Sequence, residues 1–205
     1  AVAVSLQNAV STSPTGFQFT SVAVPTLSAG APSTGPLAGG QTITLTGTNL
    51  TGATAVTIDG AAATSITVVN ATTVTAVTPA GTAGAKDVVV TTPGGNATLT
   101  NGYTYLAAPT LSSISPAAGP LAGGQTVTLI GTNLTGATAV TIGGTAATSV
   151  TVVNDTTVTA VTPAGAAGAK DVVVTGPGGS ATLTNGYAYG AAPGISSLSP
   201  GVDPV

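Results

Sequence analysis

The chain has 205 residues, of which 3% are charged: two lysines and five aspartates, with no arginine, glutamate, histidine or cysteine. Two cations cannot neutralise a run of phosphates, which removes nucleic acid from the partners, and without His or Cys neither a Ser-His-Asp nor a Cys-His nucleophile can be built. A 42% hydrophobic content at a net charge of −3 also separates the chain from disordered segments, which combine low hydrophobicity with high net charge.

Residues 1–19 lie without a gap on Asp87 to Tyr105, so that Val2, Val4, Gly16, Phe17 and Phe19 fall on Val88, Val90, Gly102, Tyr103 and Tyr105. Residues 1–24 are therefore read as the closing hairpin of a truncated preceding repeat, plus a linker. The first complete unit, 25–106, opens at Pro25-Thr-Leu and turns at Pro36-Leu-Ala-Gly-Gly. Gln41 to Thr46 then alternates, with Ile43 and Leu45 on one face and Thr42, Thr44 and Thr46 on the other, the mark of a half-buried strand. Ala55 to Ile58 continues the pattern. Ser65 to Val69 and Thr72 to Val77 are further strands divided by Asn70-Ala71, a turn signal. Asp87 to Thr92, Pro93-Gly-Gly and Asn96 to Thr100 read as a hairpin whose glycines supply the reversal. With the opening segment this makes about seven short strands with frequent turns and no helical periodicity, which predicts a β-sandwich.

The second unit, 107–190, repeats the first at a constant offset, with about ten changes over the best-matched seventy residues. Gly35 to Thr57 returns almost unchanged as Gly119 to Thr141, and Ala107-Ala108 is the only linker between copies. After Ala191-Ala192, the segment Pro193-Gly-Ile-Ser-Ser-Leu-Ser-Pro200 copies Pro109-Thr-Leu-Ser-Ser-Ile-Ser-Pro116, so 191–205 is read as the opening strand of a truncated following repeat. The two incomplete ends predict an excerpt from a longer array, or ends that pair with neighbouring subunits by strand addition. No apolar run approaches the ~18 residues of a spanning helix, and membrane insertion is not expected.

Several ordered motifs carry a resemblance. Ser113-Ile-Ser-Pro116, Gly119-Pro120, Gly123-Gly124, the Thr126 to Leu134 strand and corner, Ala139-Val-Thr-Ile-Gly143, Val158 to Pro163 and Asn185-Gly-Tyr-Ala-Tyr189 are similar to those of the IPT/TIG domains, immunoglobulin-like sandwiches found in tandem in bacterial surface proteins. The first copy carries equivalent residues. The resemblance covers about nine tenths of the chain and implies an all-β fold of tandem immunoglobulin-like β-sandwiches, about seven strands each. The functions it implies run from adhesion and spacer roles to parts of receptors, transcription factors and polysaccharide-acting enzymes, so fold does not settle function.

Five groups of residues are candidates for more than architecture. Gly35 to Thr42 and Gly119 to Thr126 mimic a phosphate-binding loop with Gln41 or Gln125 where the lysine belongs, but a strand rather than a helix follows, so the glycines read as a turn. Asp59, Asp87, Asp155 and Asp171 are single and scattered, unlike the clustered ligands of calcium. Lys86-Asp87 and Lys170-Asp171 recur at strand starts and read as a solvated edge. Tyr103, Tyr105, Tyr187 and Tyr189 sit at alternate strand positions. They are candidate interdomain or glycan contacts, with packing at the end of a sandwich as the competing use of the same rings. Asn49, Asn70, Asn96, Asn133 and Asn154 each open Asn-x-Thr, a glycan acceptor pattern in secreted eukaryotic proteins. In so Thr-rich a chain corner and turn roles explain these Asn equally, and the Thr-covered outer faces are themselves open to O-glycans or to an ice-binding role.

The expectation is thus a non-enzymatic structural or interaction module of an extracellular repeat array, without metal or cofactor: a surface stalk, an adhesin or a filament subunit. Its expected partners are neighbouring repeats or identical subunits, and its expected location is the cell surface. A virion decoration or fibre protein bound to capsid or tail proteins is the first alternative. A glycan-binding accessory module of a polysaccharide-acting enzyme is the second, and it needs an exposed aromatic platform.

Overall fold

A computed structural model describes residues 21–191, and the truncated repeats expected before and after them lie outside the described residues. The described chain folds as two copies, each a sandwich of two sheets, with no helix among the described residues. The first copy runs through β1 (Thr26–Ala31), β2 (Thr34–Pro36), β3 (Thr42–Thr48), β4 (Ala55–Ile58), β5 (Ala61–Ala62), β6 (Thr64–Asn70), β7 (Thr73–Val77), β8 (Gly84–Thr92) and β9 (Gly95–Leu106). The second runs through β10 (Thr110–Ser115), β11 (Ala118–Pro120), β12 (Thr126–Thr132), β13 (Ala139–Ile142), β14 (Thr145–Ala146), β15 (Thr148–Asn154), β16 (Thr157–Val161), β17 (Gly168–Gly176) and β18 (Gly179–Gly190). Seven main strands per copy match the expected number, and the very short β2 and β5, with β11 and β14, are additional.

One sheet of each copy has four strands in the order β1-β3-β7-β6 or β10-β12-β16-β15. The other has five, in the order β2-β9-β8-β4-β5 or β11-β18-β17-β13-β14. Neighbours such as β3 and β7, or β4 and β8, are far apart in sequence, so the chain crosses repeatedly between sheets as in immunoglobulin-like sandwiches. Pairing is antiparallel except where β2 runs parallel to β9 and β11 to β18.

The alternation seen in the sequence decides which residues enter the core. On β3 and β12 the odd residues Ile43, Leu45, Val127 and Leu129 are buried, while the threonines between them face outward. The second core gathers Ile114, Val127, Leu129, Leu134, Val140, Ile142, Val158, Ala160, Val172 and Val174 with Tyr187 and Tyr189. Each large aliphatic side chain so buried contributes about 1.5–3 kcal/mol. The one ion pair found among the described residues, Lys86 Nζ to Asp59 Oδ2 at 3.0 Å, has its carboxylate side 60% exposed and belongs to a class worth about 0–1 kcal/mol. Gly143 stands at the Asp59 position of the second copy, which folds to the same topology without that partner. Apolar inner faces, not charge, hold these sandwiches.

The Gly-Thr-Asn-Leu corner after β3 and β12 plants Leu50 and Leu134 in the core. It is fastened to the β6–β7 turn by Gly47 N–H to Thr72 O (2.9 Å) and Leu50 N–H to Ala71 O (2.9 Å), and the second copy repeats both bonds. Glycine is required at the head of this corner because the first strand passes directly over it. A Cβ on Gly131 would stand 1.8 Å from the Thr110 carbonyl oxygen, and one on Gly47 1.8 Å from Thr26 O. Both obstacles are backbone, so a side chain there displaces the edge strand. Gly131→Ala is expected to cost about 2 kcal/mol or more, read as a lowered urea midpoint for unfolding of the second sandwich.

Candidate functional site

The candidate tyrosines lie near the end of β9 and β18, after a bulge. On β18, Lys170 pairs with Tyr187 and Val172 with Leu183, so three residues of β18 oppose Asp171 alone. Asn185 within this bulge has φ 53° and Asn101 in the first copy φ 53°, the left-handed conformation that Asn tolerates better than most residues. The extra loop leaves a backbone N–H off the ladder, and a carboxylate takes it: Asp171 Oδ1 accepts from Asn185 N at 2.8 Å and Asp87 Oδ1 from Asn101 N at 2.8 Å. The recurrent aspartates read from sequence as a solvated edge are exposed, but β8 and β17, which carry them, are interior strands, between β9 and β4 and between β18 and β13; each aspartate ties down a bulge instead of blunting an edge.

Beyond the bulge, Tyr103, Tyr105, Tyr187 and Tyr189 all turn inward, each 3% exposed or less. A ring at that exposure offers no face to a sugar, so the stacking platform considered for these residues is not formed on the folded surface. Tyr187 and Tyr189 pack edge to face, with centroids 5.0 Å apart and an interplanar angle of 77°, the arrangement favoured by the ring quadrupoles.

A buried phenol needs an acceptor, and the Gly-rich stretch supplies it. Tyr103 donates to Gln41 Oε1 at 2.7 Å and Tyr187 to Gln125 Oε1 at 2.7 Å. The backbone N–H of each glutamine in turn donates to a buried threonine, Thr78 Oγ1 at 3.2 Å or Thr162 Oγ1 at 3.1 Å. Tyr189 donates to the Pro163 carbonyl at 2.6 Å. Gly119 is small because this network occupies its space: a Cβ there would lie 2.1 Å from the Tyr187 hydroxyl. The residue that looked like a lysine replacement in a phosphate loop is therefore the partner of a core tyrosine. The amide of Gly40 is spent on Thr78 O at 2.8 Å, so the loop is a turn into β3. The sequence signal for this pairing was a Gln and a Tyr at matching positions of both copies.

The acceptor-pattern asparagines divide by structure. Asn49 Nδ2 donates to Val24 O at 2.9 Å and Asn133 Nδ2 to Ala108 O at 3.0 Å, so each corner grips the residue just before its own domain begins. Asn70 and Asn154 instead accept with Oδ1, from the N–H and hydroxyl of Thr72 (both 2.8 Å) and of Thr156 (2.9 and 3.0 Å). Asp155 accepts from the Thr135 hydroxyl at 3.0 Å, bracing the corner in the second copy only, since Ala71 occupies its place in the first. No group of three or more potential metal-ligating side chains occurs among the described residues.

The sequence model of the IPT/TIG domain matches residues 25–106 and 109–189. The chain belongs to the IPT/TIG family. No curated protein matches it. Among solved structures, this IPT/TIG pair is similar to the full extracellular region of Plexin A4, at 24% identity over 80% of this chain and 18% of that one, with a TM-score of 0.54. It is also similar to SGBP-B from a xyloglucan utilization locus in Bacteroides uniformis (22% identity, 80% and 49% covered, TM-score 0.39). A third is the surface glycan-binding protein PbSGBP-B from Prevotella bryantii (18% identity, 80% and 42% covered, TM-score 0.37). The chain spans less than half the length of each, and at these identities the likeness concerns fold. No helix of the described IPT/TIG domains is long and apolar enough to cross a membrane.

Two outcomes follow from the tyrosine network. Tyr187→Phe leaves Gln125 Oε1 without its donor and is expected to cost about 1–3 kcal/mol, measured by urea unfolding. Burial pushes the Tyr103 phenol above its ordinary value of 10.0, the hydrogen bond with Thr78 acting in the other direction. Burial also raises Tyr189, with Tyr187 adding to it. The folded chain thus holds these protons more tightly than the unfolded chain, so the stabilisation is complete below about pH 10 and is lost as pH rises through the higher folded-state values. The melting temperature should stay level up to about pH 10 and fall beyond it, less steeply in a Tyr103→Phe, Tyr189→Phe double variant.

Proposed function

We propose that the two IPT/TIG domains are non-catalytic structural and interaction modules of an extracellular repeat array, in a surface stalk, an adhesin or a filament subunit. The observation that carries this reading is the use of Asn49 and Asn133. In each copy a corner side chain is committed to holding the chain that enters the domain, a device suited to domains joined in series. The tyrosines, the bulge-capping aspartates and the glutamines of the Gly-rich stretch are likewise occupied by the fold.

The surface chemistry supports neighbouring repeats or identical subunits as partners. The strands of both four-stranded sheets carry no charged residue. Their outward positions are largely threonine, with Val69 and Val153 both 58% exposed at equivalent places on the edge strands β6 and β15. Such a face packs against its like without charge repulsion. A glycan-binding role would have to use a surface other than the four buried tyrosines.

Antibodies to the folded domains, applied to intact source cells and followed by electron microscopy, test the proposal. Labelled stalks or fibres outside the cell are the expected result, and label confined to the cytosol would sink it. Label on particles budding from or attached to cells would instead select a virion decoration or fibre protein.

A further inference from the structure

We infer that Asn70 and Asn154 are acceptor sites for N-linked glycosylation of the folded chain, and that the other three Asn-x-Thr segments are not. The five segments are alike in sequence and unlike in structure. In Asn49-Leu50-Thr51 and Asn133-Leu134-Thr135 the middle residue is fully buried, and the asparagine carboxamide nitrogen is held by the Val24 or Ala108 carbonyl. In Asn96-Ala97-Thr98 the middle residue is 5% exposed and the segment is locked in β9. In Asn70-Ala71-Thr72 and Asn154-Asp155-Thr156 all three residues are exposed, in the turn between an edge strand and its neighbour; the corner takes the carbonyls of the second and third residues and, in the second copy, the Asp155 carboxylate, but not the asparagine carboxamide.

The chemistry of transfer asks for what these two turns display. The acceptor nitrogen of a carboxamide is a poor nucleophile, and the hydroxyl two residues on is the group that recognition of the motif requires. In both turns that hydroxyl already donates to Oδ1, at 2.8 Å in the first copy and 3.0 Å in the second, beside the backbone N–H of the same threonine. Oδ1 is thereby committed to the threonine, and no hydrogen bond to Nδ2 of either asparagine is found among the described residues. In the transfer, Nδ2 forms a bond to the anomeric carbon of an oligosaccharide carried on a lipid diphosphate. The bond from that carbon to the diphosphate oxygen breaks, the electron pair leaves with the lipid diphosphate, and the Nδ2 proton passes to a base of the transferase.

The test uses the purified chain, folded in one arm and heat-unfolded in the other. Each is incubated with an oligosaccharyltransferase specific for Asn-x-Thr and its lipid-diphosphate-linked oligosaccharide, with sites mapped by mass spectrometry. The folded chain should gain up to two glycans, at Asn70 and Asn154, and the unfolded chain should be modified at Asn49, Asn96 or Asn133 as well. Asn70→Gln and Asn154→Gln should each remove one glycan from the folded protein. Thr72→Val should abolish transfer to Asn70 at unchanged shape, and Thr72→Ser should retain it. Modification of folded Asn49 or Asn133 to the same extent as Asn70, or a folded chain left unmodified at Asn70 and Asn154 while the unfolded chain accepts glycans there, would overturn the inference.

Discussion

A tyrosine hydroxyl drawn into an apolar sandwich must bring an acceptor with it, and much of this repeat is arranged around that requirement. Tyr103 and Tyr187 are among the largest side chains in their cores, and their hydroxyls end on Gln41 and Gln125 at the threshold of β3 and β12. The unsatisfied alternative would cost about 1–3 kcal/mol per buried group, comparable to the burial of a whole aliphatic side chain. The closing strand, the Gly-rich turn and the buried threonines Thr78 and Thr162 are thereby fixed to one another. Among the described residues no buried side-chain nitrogen or oxygen lacks a partner.

Charge has a minor place in the same structure. Asp59 pairs with Lys86 in one copy, and glycine replaces it in the other without altering the fold. Asp87 and Asp171 each accept a backbone N–H, and the bulges they cap lie just before the tyrosines. What remains outside is a surface of threonine, alanine and valine on the four-stranded sheets.

The fold was legible in the sequence to an unusual degree. Strict alternation in Thr42 to Thr46, repeated at Thr126 to Leu129 before Ile130 places an apolar residue on the outer face, fixes both strand identity and inner face, because side chains on a strand alternate with period two. The repeat then doubles the evidence, since a pattern kept through about ten substitutions identifies itself. The same stretch also explains how the Gly-rich turn misleads. Its glycines resemble a ligand loop locally, yet Gln41 spends its side chain on a tyrosine 62 residues away, a contact with no local signature.

The sequence by itself determined the all-β class, the duplication and the apolar faces, since each follows from side-chain period and self-similarity along the chain. Tertiary structure alone decided how similar residues are used. The tyrosines are core and not platform: all four are buried, with Tyr103 and Tyr187 ending on distant glutamines and Tyr189 on a backbone carbonyl. Five identical acceptor patterns become two exposed turns, two clamped corners and one strand, because burial of Leu50, Ala97 and Leu134 depends on the opposing sheet and not on their neighbours in sequence.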